Sequence, residues 1–315
     1  MKQRGFQFLF FSFILLIILS WAHLFVFQQH EGSNSNLIFW EFQVPRLLSA
    51  ILAGAGLALS GLLMQNLFQN PMAGPYVLGI NSGASLFISI VILGATPIFL
   101  NELSYVAASM LGAFLAASLM FFVARRVQNL QSLLVIGLMF ASFTGAIEAV
   151  LQTFAAPEQV KQLFIWNMGS LQQMSASQQP WLVILVLSGI SFSLILVKGL
   201  NAMVLGSVQA QQLGINVKRL RMIILLLTAL LAGSVTAFCG PIAFIGLAIP
   251  NMARSLLRTQ DHLQLILFSV CFGALFLVAI DLLILSLDPW ISIPVNVLTA
   301  FVGAPYIAYL MLRRQ

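Results

Sequence analysis

Charge is what this chain has least of. Only 7% of its 315 residues are Asp, Glu, Lys or Arg, against about 25% in soluble domains. A water-facing surface cannot be built from so few, which excludes a soluble globular fold. Acid is scarcer than base, 8 residues against 14, for a net charge of +6. In a soluble protein that excess would suggest an anionic partner. In so apolar a chain it matches the gathering of Lys and Arg in cytoplasmic loops, so the expected surroundings are membrane lipid and not nucleic acid. Cysteine is nearly absent. Cys239 and Cys271 both fall in apolar runs, so no disulfide framework follows and both read as packing thiols. His23, His30 and His262 are scattered and form no metal cluster. There is no Gly-x-x-x-x-Gly-Lys-Ser/Thr phosphate loop, no Gly-x-Ser-x-Gly elbow and no His-Glu-x-x-His pair. No catalytic residue, metal or cofactor is therefore expected. A solute moved uphill would have to draw on an ion gradient or on another protein.

What is present is hydrophobicity, at 60% of residues. Apolar runs near 20 residues long follow one another without the period-2 alternation of a barrel strand. The expected fold class is all-α: a polytopic membrane protein with about ten transmembrane helices and both termini cytoplasmic, one permease-like domain over residues 1–315. The spans are placed at 6–27, 46–66, 76–94, 103–124, 131–152, 181–198, 221–239, 241–257, 263–286 and 295–312. With that count, Lys2, Arg4, Arg125, Arg126, Lys198, Lys218, Arg219, Arg221, Arg254, Arg258, Arg313 and Arg314 share the N-terminal side, and only Arg46 and Lys161 lie opposite. That bias makes the shared side cytoplasmic. The N-terminal run has no small-x-small cleavage site and reads as an uncleaved first span of a bacterial inner-membrane protein.

Two spans carry helix breakers. "PIAFIGLAIPNMARSLL" (241–257) has two prolines, yet removing it from the count destroys the charge bias, so it is expected to cross as a broken or kinked helix facing protein. The span at 46–66 spaces Ala50, Gly54 and Ala58, and also Gly56 and Ser60, for close helix contact inside a bundle.

Intramembrane acids cost about 2.5–3.5 kcal/mol near a helix centre. Two candidates exist, Glu148 and Asp281, and neither has a basic or His partner at a helical neighbour position. Glu148 reads as snorkelling to the outer water. Asp281 reads as a structural hydrogen bond at a helix interface, or as the carboxylate of an ion-coupled transporter. The connection 199–220 mixes Leu205, Val208 and Leu213 with glutamines, and Gly206 and Gly214 divide it into two short helices. A loose loop has no need of such an apolar face. It reads as a docking surface for a soluble protein, the alternative being a helix lying in the lipid interface. Outside, Trp166 and Trp181 suit interfacial anchoring.

These segments together resemble the permease family of ATP-binding-cassette importers for iron-siderophores, haem and cobalamin (FecCD-type, type II). The similarity runs from residue 44 to 314. "VPRLLSAILAGAGLALSGLLMQNLFQNPMAGPYVLGINSGA" is similar to the family's opening signature and "WNMGSL" to its outer-loop motif. "LLAGSVTAFCGPIAFIGLAIPNMAR", "IDLL" and "IPVNVLTAFVGAPYIAYLMLRR" resemble its closing blocks. The resemblance implies a non-catalytic permease for a ferric siderophore, or else haem or cobalamin, working by alternating access. It implies a second permease (a paralogue or an identical copy), two cytoplasmic ATPases, and a periplasmic or lipid-anchored solute-binding protein. It also implies ATPase coupling through Leu205, Gly206, Gln209, Leu213 and Gly214, and binding-protein docking at Arg46, Lys161 and Trp166. A cytoplasmic gate at Asn70, Pro71 and Met72, with Asn81 and Ser82 facing the pathway, would explain why neutral amides and prolines crowd residues 65–84. The plainer alternative there is a tight turn capped by amides. Departures from the family pattern are Ser207, Val208 and Gln209 where acids are usual, Asn251 where His is common, and Gln43 where Arg is frequent.

Overall fold

The computed structural model describes residues 2–31, 39–94, 102–127, 130–172, 174–287 and 293–313. Arg314, counted in the charge bias, lies outside them. Helices occupy every expected span: α1 (Lys2–Glu31), α2 (Val44–Phe68), α3 (Ile80–Gly94), α4 (Glu102–Arg126), α5 (Leu130–Thr153), α6 (Pro157–Asn167), α7 (Gln179–Ile195), α8 (Val197–Val204), α9 (Ser207–Gln212), α10 (Val217–Cys239), α11 (Ile245–Leu257), α12 (His262–Leu287) and α13 (Val295–Arg313). Six are long and apolar enough to cross a membrane by themselves, and α7 with α8, bent by 59°, makes a seventh. The remaining expected spans fall on helices α3, α11 and α13, which are shorter.

Helix α2 is the axis of the bundle, with 89% of its apolar window buried. Its small residues explain how. A Cβ on Gly54 would run into the Gly273 carbonyl of α12, and one on Gly61 into the Gly246 carbonyl of α11. Backbones touch there because neither helix carries a side chain at the crossing, which is where lipid-embedded helices gain packing energy. By contrast, α1 lies at the rim, with 6% of its window buried, and packs against α12.

The span expected at 241–257 is broken, as its prolines indicated. Gly240, at φ 72°, ends α10. Residues 241–244 run back without helical structure and α11 starts only at Ile245. Such backbone survives inside a membrane only when protein satisfies it. The Asn296 side-chain carbonyl accepts the Ala243 N–H (3.0 Å). Pro250 has no N–H for the Gly246 carbonyl, four residues back. Gln65 of α2 supplies a donor instead, reaching Leu247 O at 3.2 Å and Gly246 O at 3.5 Å. Leu247 O also receives the Asn251 amide (2.8 Å).

At one end of the bundle lie the turn after α2, the α7–α10 connection, and Arg125, Arg126, Lys198, Lys218, Arg254 and Arg258; we call it the basic end. The opposite end holds Phe39–Gln43, α6 and residues 168–172 and 174–178.

Candidate functional site

The turn after α2 is built from its amides. Gln69 closes the helix in the left-handed region, at φ 48°. Asn70 Oδ1 then accepts the Met72 N–H (2.9 Å), so the side chain mimics a backbone turn. The Pro71 carbonyl accepts the Asn251 amide of α11 (2.8 Å). Turn and capping amides are thus as the plainer reading expected, but the amides also reach outward. Gln69 Nε2 donates to the Met203 carbonyl (2.8 Å) and Asn66 Nδ2 to the Leu200 carbonyl (3.1 Å), both on α8. His262 sits between two amides. Its Nδ1 is 2.9 Å from Asn201 Oδ1 and its Nε2 is 2.9 Å from Asn66 Nδ2. An amide oxygen must accept and an amide nitrogen must donate, so His262 is the neutral Nδ1–H tautomer. Asn201 also donates to Asp261 (3.0 Å). The Arg254 guanidinium donates to Gln65 Oε1. Gln65, Asn66, Gln69, Arg254 and His262 line a cavity of about 290 Å³ together with Asn70 and Pro71.

The expected gate residues do not form one group. Asn70 and Pro71 share that cavity and Met72 is half-buried beside it. Asn81 lies on the first turn of α3, where its Oδ1 accepts the Thr236 hydroxyl (2.7 Å) and ties α3 to α10. Ser82 is half-buried next to it.

The 199–220 connection folds into two short helices, α8 and α9, as its glycines indicated. Gly206 (φ 105°) and Gly214 (φ 82°) sit at the breaks in conformations that favour glycine. Ala210 is buried beneath, while Leu205 and Leu213 stand 60% and 63% exposed, with Val208 equally open and Gln209 exposed between them. Exposed apolar residues grouped in this way mark a surface that contacts protein or membrane.

At the opposite end the structure corrects one expectation. Arg46 is 4% exposed and grips Asp281 with both arms, Nε to Oδ2 and Nη2 to Oδ1 at 2.8 Å each. A guanidinium so enclosed has no charge to offer a docking protein. Asp281, in turn, has partners: besides Arg46, His23 Nε2 lies 2.7 Å from Oδ2. Both come from other helices, out of reach of any search for neighbours along α12. Asp281 is therefore a structural bond at a helix interface, joining α1, α2 and α12. Lys161 and Trp166 stay together on α6, Lys161 exposed and Trp166 largely buried, lining a cavity of about 520 Å³ with Tyr105, Glu158 and Phe238. Arg46 faces a different cavity.

The sequence reading missed α6, although its start is written plainly. Pro157 opens the helix, Glu158 sits in its first turn, and the Gln159 side chain accepts the Ala156 N–H (3.1 Å). It also missed Asn66, Asn201 and His262, which become one network only when three segments meet.

Residues 6–313 match the profile of the FecCD transport family. The hemin transport permease HmuU of Yersinia pestis is 35% identical, over 97% of this chain and 95% of its own length. The Fe(3+) dicitrate transport permease FecD of Escherichia coli is 32% identical over 90% of this chain and 88% of its own. The vitamin B12 import permease BtuC of Vibrio cholerae is 34% identical, over 90% of this chain and 85% of its own. Among solved structures, an inward-facing ABC transporter assigned to the metal-chelate type superposes with a TM-score of 0.87 at 26% identity, covering 98% of this chain and 99% of that one. An ABC importer replaces the ion-coupled alternative, consistent with an Asp281 already occupied by Arg46. The chain belongs to the FecCD transport family: it is the non-catalytic, multi-pass membrane permease of a bacterial ABC importer.

Proposed function

We propose that this permease passes a ferric siderophore inward by alternating access, powered by two ATPase subunits that dock on residues 199–220 of the basic end. In this reading the basic end is cytoplasmic, as the Lys and Arg bias requires, and so are both termini. A second permease completes the pathway, and a solute-binding protein delivers cargo to the end that carries α6. The observation that carries the proposal is the pairing of an exposed apolar face on α8 and α9 with hydrogen bonds running directly from α8 to the turn at Asn70. A push on Leu205 reaches the Met203 carbonyl and, through Gln69, the turn itself. Leu205, Gly206, Gln209, Leu213 and Gly214 make the coupling surface, and Asn70, Pro71 and Met72 the gate. Asn81 holds the first turn of the helix beyond it against α10, with the half-buried Ser82 next to it. Lys161 and Trp166 remain the docking candidates, without Arg46.

An iron chelate as cargo is favoured by the relatives whose names specify hemin and ferric dicitrate, and by the metal-chelate type of the superposed transporter. Cobalamin is the second reading, favoured by the relatives named for vitamin B12. Uptake of radiolabelled ferric siderophores, hemin and cobalamin by the complete importer, in cells lacking other routes, tests the cargo. Energised accumulation of a ferric siderophore is expected; accumulation of cobalamin alone would replace it. For the gate, a Cys at position 70 crosslinked to the partner permease should stop uptake and recover on reduction. Full uptake with the crosslink in place would remove Asn70 from the gate.

A further inference from the structure

A second cavity at the basic end, of about 350 Å³, borders α9 through Gln211 but is lined by none of the residues assigned above to coupling. It lies between the last turn of α4 and the first turns of α10, and Arg125, Arg126, Lys218 and Arg221 line it together. Those cations come from two helices, brought together because α4 and α10 pack along their length. No carboxylate is among the lining residues. The acid of this end is, among the described residues, Asp261, and its carboxylate already accepts from Asn201 and from the Leu263 N–H. Arg221 is the telling member: its Nε is closed off from water and has no acceptor among the described residues. A buried, unsatisfied guanidinium donor costs free energy until an acceptor arrives. Arg125 is different, lying over the Phe121 ring at 5.9 Å.

The other wall is apolar, with Val127, Leu133, Met222 and Leu225. Below the arginines, Phe122, Leu119 and Leu115 of α4 are exposed in the bundle and face outward, as lipid-facing side chains do. Charge at the water boundary above an open apolar helix face suits one class of occupant. We infer that this cavity binds the phosphate of an anionic phospholipid, Arg126, Lys218 and Arg221 holding the phosphodiester while an acyl chain runs along α4. Basic pockets between transmembrane helices at the cytoplasmic boundary hold lipid headgroups by this chemistry. A free phosphate shares the headgroup chemistry but would leave the apolar wall empty. The exposed apolar residues Leu205 and Leu213 adjoin the cavity through Gln211 but do not line it.

Native mass spectrometry of the full-length permease, released from detergent with phosphatidylglycerol or phosphatidylcholine added, tests the site. Phosphatidylglycerol should stay bound and phosphatidylcholine should not. Lys218→Gln and Arg126→Gln, both at exposed positions that the fold tolerates, should each weaken retention about fivefold, and Arg221→Gln together with them far more. Lys218→Arg should retain binding. Inorganic phosphate and glycerol phosphate at matched concentration should not displace the lipid. Equal retention by the Gln variants would overturn the inference. Displacement by inorganic phosphate would assign the cavity to a soluble anion. Loss of ATPase assembly in Lys218→Gln with lipid retention unchanged would make it a protein contact.

Discussion

Leu205→Glu combined with Leu213→Glu is expected to abolish uptake while leaving the permease folded. Both side chains stand open in the isolated chain, so the fold loses little when they change. The docked state loses much more. Burying a large aliphatic side chain is worth about 1.5–3 kcal/mol, and forcing an unpaired carboxylate into the same contact adds a desolvation penalty. A fall of at least about 3 kcal/mol corresponds to more than a hundredfold in affinity. Co-purification of the ATPase with the double variant, compared with wild type, measures it directly. Retained assembly and uptake would mean that α8 and α9 lie in the lipid interface instead. Because this chain has no acids at Ser207, Val208 and Gln209, ion pairing from these positions cannot substitute for the lost apolar contact, and raised salt should weaken the wild-type complex only slightly.

The second large effect is at Asp281. Asp281→Asn leaves Arg46 with its charge buried at 4% exposure and no counter-ion. Removing one member of a buried ion pair costs about 3–5 kcal/mol, a large share of the roughly 5–15 kcal/mol that stabilises a typical protein. The amount of folded permease should fall sharply, read as monodisperse protein by size-exclusion chromatography. Uptake per folded complex should stay near wild type, because the carboxylate carries no ion. Replacing His23, Arg46 and Asp281 together with apolar residues of similar volume should restore much of the folded yield, since a buried network removed whole leaves nothing unpaired. A normal yield with abolished uptake in Asp281→Asn would instead make this carboxylate part of the transport cycle.

The contrast between Asp281 and the helices marks what a single sequence conveys. Spans are local: about 20 apolar residues announce themselves, and the two prolines at 241 and 250 announced a break in the eighth. The two short helices of the 199–220 connection were legible for the same reason, since Gly206 and Gly214, which break them, are a few positions apart. Arg46 was misread because a lone cation at a span boundary looks like a surface charge. Its partner is 235 residues away, and the choice between surface and interior is made by tertiary packing. The amides of residues 65–70 were assigned to a gate or a turn. The acceptors of Gln65, Asn66 and Gln69, on α8 and α11, are more than 130 residues distant. Amides have no sign of charge and no period, so nothing along the chain tells where they reach.

The His23–Asp281 bond also sets an order of events during biogenesis. Helix α1 is held by a helix made 258 residues later. At about 5–20 residues per second, α1 must wait tens of seconds in the bilayer before its tether exists, with a buried-to-be imidazole facing hydrocarbon. Throughout that interval α1 is a free stave, open to membrane chaperones and proteases, until α12 follows it into the bilayer.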